Sequence, residues 1–129
     1  WAVFTDELPQ VFYRDARFAA AMVMGREVLS PLYSAGGRLL AMATLLHFTL
    51  SVGYGMLVAH VTKDRGLFAS ILIGAALGLL LSGANLYSFT RVFPWFEATR
   101  DWITATTHVA FGIIAAASYR VLANPVFVL

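Results

Sequence analysis

Two histidines, His47 and His108, each lie in the middle of a long apolar run. A neutral imidazole can ligate a metal, relay a proton or hydrogen-bond through both nitrogens, and in hydrocarbon it is costly unless it does one of these. His47 lies nine residues past Arg38 and His108 eight past Arg100. Two helices running in the same direction therefore hold both rings about 12–14 Å in from one membrane face. Each histidine also shares a face with small residues: Ala43, His47, Ser51, Gly55 and Ala59 in one run, and Thr104, His108, Gly112, Ala116 and Arg120 in the other. The sharpest chemistry this permits is bis-histidine ligation of a haem b, with small side chains admitting the macrocycle. Arg38, Arg91 and Arg100 would meet its propionates, and Trp95 and Trp102 would flank its edge. The plainer reading, which is preferred, has each imidazole donate to a backbone carbonyl or to Thr44, Ser51, Thr104 or Thr107, fixing helix register. A proton-relay or ligand role is the third possibility. His60 falls in an interfacial loop and needs no partner.

Little else invites catalysis. The 129 residues contain no cysteine, which excludes disulfides, thiolate metal sites and a thiol nucleophile. No phosphate-cradling glycine loop, HExxH, nucleophile elbow or carboxylate–histidine metal spacing is present. The segment from Phe93 to Trp102 pairs Glu97 with Arg100 and Arg100 with Asp101, but ion pairs at a membrane surface are mostly structural. Its four aromatic residues mark it as an interface anchor, held by Trp95 and Trp102 near its two ends. Asn85 and Tyr87 lie at the same membrane face and leave room for a small polar cavity with Glu97 and Arg100. A non-enzymatic protein is expected.

The elements holding these residues are set by lipid. Hydrophobic residues make up 60% and charged residues 12% of the chain, whereas soluble domains run near 45–50% and about 25%. The expected fold class is an all-α membrane protein with three transmembrane helices at about 38–61, 66–89 and 101–122, preceded by an N-terminal amphipathic interfacial helix. These helices read as the last three of a four-helix bundle, so Trp1 to Phe4 is expected to be the end of a truncated helix. Residues 1–37 then form that remnant plus the interfacial segment, and 38–129 the bundle. Asp6 to Pro9 reads as a helix start, and Val11 to Leu29 is too polar to span. Asn124-Pro125 is expected to end the last helix, leaving Val126 to Leu129 as an apolar tail.

The second spanning run carries Ser70, Gly74, Gly78 and Ser82 at four-residue spacing, a stripe that lets backbones approach closely. With Ser51, Gly55, Gly112 and Ala116 it forms the expected helix-packing set. The partners implied are the lipid bilayer, with bound lipid, and other transmembrane subunits or a second copy. A net charge of +2 gives no reason to invoke nucleic acid. The positive-inside balance favours neither side decisively, and four helices with both ends inside would place the Lys63 loop and the C-terminus in the cytoplasm.

From His47 to Arg120 the order of features resembles the YagU-like family of uncharacterised bacterial inner-membrane proteins. The shared elements are Ser51-Val52-Gly53-Tyr54, a short basic loop, Gly74-Ala75-Ala76-Leu77 and Pro94-Trp95-Phe96-Glu97. This covers somewhat over half the chain, and His47 and His108 align with histidines of that family only through gaps of about a helical turn. The resemblance implies a four-helix inner-membrane protein of undefined activity. Together these features predict a non-catalytic subunit packed within a larger membrane complex, respiratory or photosynthetic. The alternatives are a haem-binding or quinone-proximal electron-transfer subunit built on His47 and His108, or a component of small-solute transport.

Overall fold

A backbone that cannot bond to water must satisfy its N–H and C=O groups internally, and a long apolar run does so as a helix. The computed structural model describes residues 2–33, 36–100 and 102–123, and every regular element among them is helical. In chain order these are α1 (Ala2–Met24), a 3-10 turn (Arg26–Leu29), α2 (Gly37–Thr62) and α3 (Leu67–Gly83). A π-helical turn (Ala84–Ser88), two 3-10 turns (Phe89–Arg91 and Pro94–Thr99) and α4 (Trp102–Ala123) complete the order. The chain divides into two compact units, Trp1–Ser51 and Val52–Leu129, with α2 running from the first into the second.

Two helical stretches are long and apolar enough to cross a membrane: Gly37–Thr62, with mean hydropathy 1.5, and Leu67–Arg91, with 2.2. Both leave most of their side chains outside the fold, with Phe48, Met56, Leu79 and Leu80 each more than half exposed. Hydrocarbon or another protein is the natural cover for such a surface. α4 is 22 residues long, but Thr104, Thr106, Thr107, His108, Ser118 and Arg120 dilute its hydropathy. The expected third span is therefore a helix here, without the apolarity of the other two.

Several boundaries differ from those expected of the sequence. α1 begins at Ala2 and continues through Pro9, so the Asp6–Pro9 signal does not mark its start. It stops at Gly25, whose φ of 96° is open to glycine and strained for other residues. A Cβ there would also lie 2.8 Å from a carboxylate oxygen of Glu27. His60 sits in the last turn of α2 rather than in a loop. The second run is a straight α-helix only to Gly83, beyond which it changes pitch. The connection from Phe93 onward winds into the Pro94–Thr99 turn. Asp101, the Asn124-Pro125 stop, the tail from Val126 and Trp1 lie outside the described residues.

In the first unit α1 buries Ala16, Ala20 and Ala21, and Val28 is buried in the 3-10 turn. Arg17 anchors the chain beyond that turn, donating from Nη1 to the Ser30 carbonyl at 2.8 Å and from Nη2 to the Tyr33 carbonyl at 3.0 Å. The Ser30 carbonyl also accepts from the Tyr33 N–H at 3.0 Å, so the guanidinium braces a turn that is already closed.

In the second unit α3 and α4 pack along the small-residue stripe. A Cβ added at Gly74 would strike the Gly112 carbonyl and lie 2.8 Å from Ala116 Cβ; one added at Gly78 would strike the His108 carbonyl and lie 2.8 Å from Val109 Cα. A Cβ added at Gly112 would meet the Gly74 carbonyl. The helices are therefore antiparallel, with Gly74 level with Gly112 and Gly78 level with His108. Ser70, Ser82 and Ala116 are buried on the same seam, and the Ser70 hydroxyl has no hydrogen-bond partner among the described residues. At the far end Arg120 Nη1 donates to the Lys63 carbonyl at 2.6 Å, which ties the end of α4 to the α2–α3 connection.

Gly53 and Gly55, on α2, have no atom within 4 Å of an added Cβ. Gly112→Ala should therefore destabilise the fold by about 1–3 kcal/mol through overpacking. Gly55→Ala should leave stability unchanged or raise it by a few tenths of a kcal/mol. Reversible unfolding in mixed detergent micelles measures both, and equal effects at the two positions would contradict the seam.

Candidate functional site

The polar groups of the second unit gather where α3 changes pitch. A π-helical turn inserts one residue and leaves a carbonyl without its usual helical partner. Within this turn Arg100 Nε donates to the Leu86 carbonyl at 2.6 Å. Arg100 Nη2 donates to Thr90 Oγ1 at 2.7 Å, and Nη1 lies 3.4 Å from the Glu97 carboxylate. The Thr90 hydroxyl in turn donates to the Leu86 or Tyr87 carbonyl, at 3.3 and 3.2 Å. The guanidinium lies 5.0 Å from the centre of the Tyr87 ring. Arg100 thus reaches back from the start of α4 and holds the irregular end of α3 with bonds of the charge-assisted kind, worth roughly 1.5–3 kcal/mol each where shielded from water. Part of that value is lost here, since its side chain is 34% exposed.

Asn85, seven residues past Gly78 and so on the same helix face, meets His108 across the seam. His108 Nδ1 lies 2.7 Å from the Thr104 carbonyl, and its Nε2 lies 3.2 Å from Asn85 Nδ2. A carbonyl only accepts, so Nδ1 carries the proton, and the Nε2 lone pair accepts from the Asn85 amide. Both ring nitrogens are committed. Approach this close depends on Gly78, against which the His108 carbonyl rests.

The residues singled out by sequence divide accordingly. Ser70, Gly74, Gly78, Ser82, Gly112 and Ala116 come together on one seam. Gly55 faces open space, and Ser51 is half-buried. Arg38 is exposed at the start of α2, and His47 is exposed further along the same helix. No geometry joins His47 to His108, since the first belongs to one unit and the second to the other. Trp95 stacks within the connection, 5.3 Å from the Phe93 ring, while Trp102 is 71% exposed. Arg100 has a role that the sequence does not reveal, at a backbone carbonyl rather than a propionate. The π turn is equally hidden; its only trace in sequence is Ser82-Gly83-Ala84-Asn85, a weak helix stretch inside an apolar run. Among the described residues no cluster of three or more histidines and acids is placed to hold a metal ion.

No protein-family model, no curated protein and no solved structure matches the chain.

Replacing Arg100 should loosen this end of the helix selectively. Arg100→Met is expected to speed amide exchange across residues 86–92 by tenfold or more while the α3–α4 seam stays protected. Arg100→Lys should fail to restore protection, because a point charge cannot serve the carbonyl and the hydroxyl at once. Hydrogen–deuterium exchange in nanodiscs reads both, and uniform loss of protection along α3 would argue against a local role.

Proposed function

We propose that the chain is a multi-pass protein of the bacterial inner membrane, in which α2, α3 and α4 all span and the protein works by packing within a larger complex, without catalysis of its own. The observation that carries this reading is the unequal use of small-residue faces. Gly74, Gly78 and Gly112 are closed against one another, whereas Gly53 and Gly55 on α2 face open space beside the exposed Val52, Met56 and Leu57. In lipid, a backbone left open at small residues supports association with another helix, because close packing is what drives helix pairing there. The exposed His47 adds to this: an imidazole in a spanning helix needs a hydrogen-bonding neighbour. The resemblance to the YagU-like family belongs to the same proposal.

Ligation of haem by His108 has less support, since iron would have to displace Asn85 from Nε2. Transport has none beyond the bundle itself. The third span and the orientation rest on the bond between Arg120 and the Lys63 carbonyl, which sets the end of α4 beside the basic α2–α3 connection. That side is assigned to the cytoplasm.

Absence of cysteine makes the topology directly measurable. Cysteines introduced at Lys63 and Ala123 should react with a membrane-impermeant maleimide only from the cytoplasmic side, and one at Glu97 only from the opposite side. Labelling of Ala123 and Glu97 from the same side would remove the third span. Purification in mild detergent should recover the chain with other membrane subunits and without the absorption bands of reduced haem. A chain recovered as a lone monomer would overturn the subunit reading.

A further inference from the structure

Three cations gather at one end of the second unit. Lys63 and Arg65 are exposed in the short connection between α2 and α3, and Arg120 reaches that connection from the last turn of α4. Against them stands the single carboxylate of Asp64, which leaves the group with an excess of positive charge. Arg14 and Arg100 each have a carboxylate neighbour, Asp15 and Glu97. Lys63, Arg65 and Arg120 form no ion pair among the described residues. Arg120 spends Nη1 on the Lys63 carbonyl, and its buried Nε has no partner among those residues. The fold thus gives this guanidinium a neutral acceptor and no counter-charge, a state that favours an anion supplied from outside.

The same end is bordered by apolar surface. Phe68, Leu72 and Leu79 are each more than half exposed. At 100° per residue they fall within about 40° of one another on α3. They form one lane that begins three residues past Arg65 and extends for about 16 Å along the helix. Cations therefore stand at the head of an apolar strip. A soluble phosphate would meet the cations and leave the strip bare, and a zwitterionic lipid would cover the strip without bringing net charge. An anionic phospholipid does both: its phosphodiester oxygens accept from lysine and arginine, and an acyl chain covers the strip.

From this we infer that the α2–α3 connection and the end of α4 bind the headgroup of an anionic phospholipid through Lys63, Arg65 and Arg120, with an acyl chain along Phe68, Leu72 and Leu79. The inference rests on the membrane placement of α2 and α3 proposed above, which the cysteine labelling tests separately. The end concerned is the one assigned to the cytoplasm, where the leaflet surface is negative.

The test uses the full chain in a neutral detergent, with native mass spectrometry reading the lipid bound per chain. Phosphatidylglycerol should bind at least tenfold more tightly than phosphatidylcholine with the same tails, and glycerol phosphate, which has no tails, at least tenfold more weakly than phosphatidylglycerol. Lys63→Gln and Arg65→Gln should each weaken phosphatidylglycerol binding about fivefold, the value of one cation at an anionic surface. Arg91→Gln, which removes an exposed cation near the other end of α3, should leave it unchanged. Phe68→Ser should weaken both lipids alike. Far-UV circular dichroism and the melting temperature establish that each variant folds. Equal binding of the two lipids, or a loss in Arg91→Gln matching that in Lys63→Gln, would reduce the site to general attraction and overturn the proposal. Glycerol phosphate bound as tightly as the lipid would make it a site for soluble anions, and an acidic subunit co-purifying in place of lipid would make it a protein contact; either result also overturns it.

Discussion

The closeness of α3 and α4 at Gly74, Gly78 and Gly112 is the constraint on which the second unit depends. Hydrocarbon tails solvate leucine as well as another helix does, so apolar side chains alone cannot hold two helices together in a bilayer. Dispersion between backbones in contact can, and it falls off steeply with added separation. Glycine brings those backbones together, and the stripe's serines keep them there by being small. The buried Ser70 hydroxyl has no hydrogen-bond partner among the described residues, which fits a position filled for its size. Fixing α4 at this distance also fixes its register, and register is what places His108 opposite Asn85 and Arg100 beneath the end of α3.

The irregular end of α3 depends on that register. The π turn gives up regular α-helical hydrogen bonding, while Asn85, seven residues past Gly78, keeps the face that meets α4. The Asn85–His108 contact compensates in part, because a buried imidazole with one nitrogen unmatched is itself costly. Arg100 completes the arrangement by donating to the Leu86 carbonyl, which the Thr90 hydroxyl also reaches. The features are linked: the glycine seam brings His108 within reach of Asn85, and Arg100 adds a charged donor at the Leu86 carbonyl inside the π turn.

Legibility from sequence has the same hierarchy. The helices are readable because apolar length is a local property; α2, at Gly37–Thr62, differs by one residue at each end from the expected 38–61. The stripe of α3 is readable because its four-residue spacing is a property of one helix. The hidden features depend on a second helix. Nothing in the run from Ser82 to Ser88 requires a π turn until α4 supplies Arg100 and His108, and nothing near Arg100 singles out Leu86, fourteen residues earlier. The apparent symmetry of the two histidines misleads for the same reason. Equal spacing from an arginine fixes depth along a helix, but the partners of each ring belong to whatever packs beside it.

That difference between the histidines organises the functional reading. His108 has both nitrogens matched within its own unit, so its role is to orient Asn85, and it asks for nothing from outside. His47 is exposed on a helix apolar enough to cross a membrane and has no hydrogen-bond partner among the described residues. An imidazole in that setting is tolerated only when something meets it, whether another subunit, a second copy or a polar ligand. The chain thus keeps one polar centre closed and one open. The open one, on an otherwise apolar helix, suits assembly.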